Sequence, residues 1–101
     1  MKPLLVEHIT EASGLYFRSV TLPEAGTYIP QHNHDYDHAT LVCSGKVRGW
    51  CDGVNLGVKS KGEVFEIRAN HEHVFVSLEP NTTLVCIHNL ESALSIKRKG
   101  L

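Results

Sequence analysis

The sequence predicts an all-β protein, a sandwich or barrel of short strands, and three observations carry that prediction. Apolar and β-branched residues recur with a period near two. Gly, Pro, Asn and Asp interrupt the chain at short, regular intervals. Only "ESALSIKR", close to the C-terminus, could form a helical turn or two.

The elements follow in order. "LLVEHI" (residues 4–9) is a candidate first strand, and "LYFRSVTL" (15–22) alternates apolar and polar side chains before "PEAG" stops it. The stretch around His32 and His34 is extended and leads to "ATLVCS" (39–44), which "SGK" separates from "KVRGWCD" (46–52). After the "DG" and "SKG" breaks come "EVFEI" (63–67), then "RANHE", "HVFVSLE" (73–79), "PN" and "TLVCIHN" (83–89). Each break has a cause: Gly supplies positive φ, Pro fixes φ, and Asn or Asp bonds its own backbone.

A chain of 101 residues can bury one core, so a single domain over residues 1–101 is expected. Its 42% hydrophobic and 21% charged content is ordinary for a folded soluble protein. A formal net charge of −1 lacks the field that concentrates a phosphate backbone, so nucleic acid is not an expected partner. The basic run "IKRKG" reads as a solvated tail. No apolar run is long enough for a membrane span and no signal-peptide pattern opens the chain, which makes the cytoplasm the expected compartment. Cys43, Cys51 and Cys86 are odd in number and without CxxC spacing, which excludes a fully paired disulfide framework; they read as small buried hydrophobes.

Four of the seven histidines fall into one pattern. His32 and His34, two apart on a strand, share a face at a spacing of about 6.6 Å, so both can reach one metal ion. His38 would lie roughly 13 Å further along a straight strand, so the chain must turn at Asp35, Tyr36 and Asp37 to bring it back. His73, opening the strand after "RANHE", is the fourth candidate. Neutral imidazoles suit Fe, Mn, Ni, Cu or Zn far better than Ca or Mg. His71 reads as an exposed loop residue, and His8 has no neighbour in sequence that would make it a ligand.

At these residues the chain resembles the cupin superfamily. Gly26, His32, His34 and Gly45 stand at the spacing of the first cupin motif, G-x5-H-x-H-x3-E-x6-G, with His38 in the place of its Glu. Gly62 and His73 match the second, G-x5-P-x-G-x2-H-x3-N, where Arg68, Asn70 and Ser77 replace the Pro, Gly and Asn. The resemblance implies a double-stranded β-helix jelly roll, a small single-domain cupin barrel with one divalent metal held by His32, His34, His38 and His73.

An all-imidazole shell leaves the full charge of a divalent ion in place, where a Glu would lower it by one unit, and so favours an anionic or enolisable small-molecule substrate. Four protein ligands around an octahedral ion leave two positions for substrate or O₂. The expected function is therefore a metal-dependent enzyme, with dioxygenase or oxidative-cleavage chemistry first. Non-redox isomerase, lyase or hydrolytic chemistry and a non-catalytic binding or sensing module are the alternatives. Cysteine nucleophilic catalysis is not expected, because Cys43 and Cys51 lack an orienting partner and a nucleophile elbow.

Two hairpin arguments complete the reading. If "SG" or "GK" closes a hairpin, His38, Thr40 and Val42 share the inner face with Val47, Gly49 and Cys51. Leu41, Cys43 and Trp50 then form an outer apolar patch, to be covered by a homodimer partner or by the N-terminal strand. If "PN" or "PNTT" closes the last hairpin, His88 turns inward as the candidate catalytic acid or base, beside room left by the small residues Gly49 and Cys51; a three-residue loop would send it outward.

Overall fold

A computed structural model describes residues 6–32 and 36–89, with the backbone alone for Val6, Pro30, Gln31 and His32. Among the described residues nine strands follow one another: β1 Val6–Ala12, β2 Leu15–Leu22, β3 Tyr28–His32, β4 His38–Ser44, β5 Lys46–Cys51, β6 Val54–Ser60, β7 Val64–Ile67, β8 His73–Ser77 and β9 Thr82–Asn89. They form two antiparallel sheets, β1-β2-β9-β4-β7 and β3-β8-β5-β6. No helix occurs among the described residues, and "ESALSIKR" with the basic "IKRKG" lies outside them. The all-β jelly-roll expectation holds.

The alternation read from sequence is the alternation of burial. In β4 the inward residues His38, Thr40 and Val42 alternate with half-buried Ala39, Leu41 and Cys43. In β8 His73, Phe75 and Ser77 are buried and Val74 and Val76 are not. Between the sheets Val20, Leu22, Ile29, Val42, Val47, Phe65, Ile67, Phe75 and Leu84 form the core. The side chain of Thr82 donates to the Glu79 carbonyl at 2.8 Å, so its burial leaves no hydroxyl unsatisfied.

Both hairpin arguments need correction, although their inward assignments stand. β4 and β5 do not pair, and neither do β8 and β9; each connection carries the chain from one sheet to the other. The β4–β5 corner is a single residue, Gly45, at φ +77°, and an ideal Cβ there would lie 2.8 Å from the Thr82 Cβ and 2.9 Å from its Cα. A corner that tight turns a strand into the opposite layer, whereas a hairpin folds it back beside itself. Sequential hairpins occur at β1–β2 and β5–β6, where Ser13-Gly14 and Asp52-Gly53 supply the paired positive φ of a type I′ turn.

Leu41 and Cys43 therefore belong to the first sheet and Trp50 to the second, so they do not form one patch. Nor does the N-terminal strand cover such a patch, because β1 extends the first sheet edgewise beside β2. The cysteines are free and half-buried, and none belongs to the core cluster. β6 went unread: it is an edge strand with exposed Val54, Leu56 and Val58, and Gly57 at φ +87° next to a register shift interrupts its pattern.

Candidate functional site

Local structure sets the first pair of histidines. β8 begins at His73, 2% exposed, and β4 begins at His38, 6% exposed. They belong to facing sheets, and their ring centroids are 4.9 Å apart. Nδ1 of His38 is shut off from solvent. Across the second sheet the register runs His32, His73, Cys51, so the β3 backbone brings His32 directly opposite His73. His34 lies outside the described residues.

Hydrogen bonds hold these segments in place. Nδ1 of His73 lies 3.3 Å from the His71 carbonyl oxygen, which can only accept, so in the neutral ring the proton sits on Nδ1 and the lone pair on Nε2. That is the outer-shell arrangement metal-ligating imidazoles use. Asp37, next to His38, accepts from the Ala69 amide at 2.7 Å and pairs with Arg68 at 3.4 Å, which fastens the approach to β4 onto the loop before β8. The Phe75 ring lies 5.6 Å from that of His73 and 5.0 Å from Phe65, closing the barrel beneath the histidines. Gly49 does not leave room for substrate as its size suggested: Phe65 fills the space, with its Cε1 2.8 Å from where a Cβ would be.

His88 faces inward and is 8% exposed. One register step beyond the Ala39–Ile87 pair sets it next to His38 on the same face of the first sheet. Its ring lies between two tyrosines, with centroids 4.7 Å from the stacked Tyr16 and 4.3 Å from Tyr36. Nδ1 donates to the Asn89 carbonyl at 3.0 Å, leaving the lone pair on Nε2. Burial holds its pKa below the ordinary imidazole value, outweighing the Asn89 bond, so the ring is neutral at pH 7. Beside it in the next inward row, Arg18 is opposite Cys86 and forms an ion pair with Glu7, while the Cys86 thiol lies 3.5 Å from the Thr40 hydroxyl. Burial pushes the Cys86 thiol up, against the smaller effects of Thr40 and Arg18, which leaves it a poor nucleophile.

His71 is exposed, as expected, and its Nδ1 contacts the Asp52 carboxylate. One ligand atom from each of Cys51, Asp52 and His71 lies within 4.8 Å of the others. His8 sits exposed on edge strand β1. Tyr16, Tyr36 and Arg18 escaped the sequence reading; strand parity puts Tyr16 and Arg18 on one face of β2, but only the long-range β2–β9 pairing reveals what they face.

No described helix is long and apolar enough to cross a membrane. No family model and no curated protein matches the chain. Solved structures do match. KdgF from a Halomonas species superposes with a TM-score of 0.74 at 21% identity, over 82% of this chain and 76% of KdgF. An RmlC-like cupin family protein with a double-stranded β-helix fold from Methanocaldococcus jannaschii superposes at 0.75 and 9% identity, over 94% of this chain and 88% of that one. The DMSP lyase DddQ from Ruegeria pomeroyi gives 0.72 at 16% identity, over 84% of this chain and 46% of DddQ. The shared property is the fold, the double-stranded β-helix barrel of cupin proteins.

Proposed function

We propose that the barrel is a metal-dependent enzyme acting on a small anionic or enolisable substrate, with His32, His34, His38 and His73 holding one divalent transition metal, Fe, Mn, Ni, Cu or Zn. The observation that carries this reading is the pair of buried imidazoles, His38 and His73, meeting at 4.9 Å from opposite sheets, with His32 in register beside His73. The donor set fits such an ion, since His73 keeps Nε2 as its lone-pair nitrogen and imidazole is a ligand for all five metals. When bound, the ion supplies Lewis acidity and, for a redox metal, electron transfer.

The chain's own groups do the rest. Phe65 and Phe75 keep water from below, and His88 accepts a proton at Nε2 while Tyr16 and Tyr36 fix the plane of its ring. Oxidative cleavage is the first reading. A lyase or isomerase reading is favoured by the neutral, clamped His88, which suits proton abstraction next to a carbonyl, and by the likeness in fold to a DMSP lyase. A non-catalytic binding module would need no such base. Metal analysis of untagged protein, followed by O₂-uptake assays with catechols, diketones and thiols, tests the order. A bound redox metal with oxygen uptake supports oxidative cleavage, and a bound metal without uptake moves the assignment to the non-redox class.

His88→Ala should lower turnover by about 10²-fold and remove the acidic limb of the pH–rate profile. That limb lies below the ordinary imidazole pKa, because turnover rises with pH only as His88 loses its proton. Unchanged turnover with an unchanged profile would remove His88 from the mechanism. The same shift links to folding: as pH falls below the unfolded imidazole pKa the unfolded chain takes up this proton first, so stability declines until the folded pKa is passed.

We also propose a homodimer, through the outer face of the first sheet, where Phe17, Ile87 and Ala39 align and Val85 lies between Leu41 and Ser19. Leu41→Asp should convert it to monomer in sedimentation at micromolar concentration, and a wild-type monomer under those conditions would overturn the proposal.

A further inference from the structure

We propose that Cys51, Asp52 and His71 form a second metal site at the rim of the barrel, for a thiophilic divalent ion of the Zn²⁺ class. It adjoins the four-histidine set, since Cys51 stands in register beside His73, but it takes no ligand from that set. The three side chains come from two segments that the fold brings together, the end of β5 with its type I′ turn and the loop that leads into β8. The Asp52 amide donates to the Glu72 carbonyl at 2.7 Å, and the Glu72 amide donates back to the Asp52 carboxylate at 2.9 Å. These bonds fix the two backbones that carry the ligands before any ion arrives.

Geometry and charge both suit zinc. Tetrahedral ligand bonds of about 2.0–2.3 Å require donor atoms roughly 3.3–3.8 Å apart. The three donors already lie within 4.8 Å of one another, so side-chain rotation closes the set without moving the strands. A thiolate, a carboxylate and a neutral imidazole balance a dipositive ion, and the thiolate excludes Mg²⁺ and Ca²⁺ as preferred occupants. Water completes the fourth position.

The turn accounts for Asp52 and His71, and the Cys51 thiol stands half-buried in register beside His73. Burial, and then the charge of Asp52, push that thiol up, so it is protonated at neutral pH. Binding breaks its S–H bond, forms a sulfur–metal bond and releases the proton to solvent, and affinity therefore rises with pH.

The test uses the untagged chain, stripped with chelator and titrated with Zn²⁺ and separately with Co²⁺. Wild type should take up two equivalents of Zn²⁺. Cys51→Ser and the exposed His71→Ala should each retain one, and the double variant Cys51→Ser/His38→Ala none. The Co²⁺ form should show a thiolate-to-metal charge-transfer band that survives His38→Ala and disappears in both Cys51→Ser and His71→Ala. Were the barrel site to fail, a single equivalent would remain and that band would still identify it with Cys51. Cys51→Ser and His71→Ala proteins that bind as wild type does, or a Co²⁺ form with no such band, would overturn the proposal. A band lost in Cys51→Ser but kept in His71→Ala would overturn it as well, by assigning the thiol to the barrel ion.

Discussion

Gly45→Ala is expected to destabilise the protein by about 3 kcal/mol, from roughly 1–2 kcal/mol for a left-handed non-Gly backbone and about 1–3 kcal/mol for overpacking. The overpacking is set by the corner. A Cβ at residue 45 would lie 2.1 Å from the Thr82 Oγ1 and 2.9 Å from its Cα, and that hydroxyl is already committed to Glu79. Backbone that belongs to a central strand cannot retreat as the tip of a flexible side chain can. Gly53→Ala is the control, because Gly53 has nearly the same φ, +78°, with nothing within 4 Å of its ideal Cβ. It should lose only the conformational part. Urea unfolding of the three proteins measures the difference, and equal losses at residues 45 and 53 would show that contact with Thr82 contributes nothing.

His38→Ala and His73→Ala should each remove most of the metal bound in the barrel, as read by metal analysis after dialysis. The argument is geometric. These rings reach the interior from facing sheets, so no neighbour on the same strand can replace either one. An ion at about 2.0–2.3 Å from each would sit between the layers, and losing one donor leaves it attached from one side. His38→Glu should retain the metal and lower its Lewis acidity, since a carboxylate reduces the charge of the shell. Both alanine variants binding like wild type, or a metal-loaded structure with His38 turned away from the ion, would overturn the assignment.

The strands and their inner faces were legible because burial imposes a period of two on any strand with one wet side. Leu15–Leu22 is an example, with Val20 and Leu22 fully buried. His38 and His73 both open strands where the pattern set them, while the spacing of His32 and His34 falls partly outside the described residues. Sheet partnership was not. Parity along "ATLVCSGKVRGW" is the same whether the chain folds back beside itself or crosses to the other layer, so the inward set came out right from a hairpin that does not exist. The tyrosine clamp on His88 was hidden likewise, because Tyr16 meets it through a pairing between residues 72 positions apart along the chain, as 88 − 16 gives. Gly49 misled because a missing side chain reads as empty space, and only the fold reveals the phenyl ring that occupies it.

The position of β9, between β2 and β4 in the first sheet, has a consequence for how the protein is made. During synthesis β1, β2, β4 and β7 all leave the ribosome before the strand that joins β2 to β4, so that sheet waits as two separate halves with open edges until residue 89 has emerged. Closing loops of that length before any contact rewards them makes for slow folding. The nascent chain therefore passes through a stage with unpaired β2 and β4 edges exposed, and that stage is when it is most vulnerable to aggregation and most dependent on chaperones.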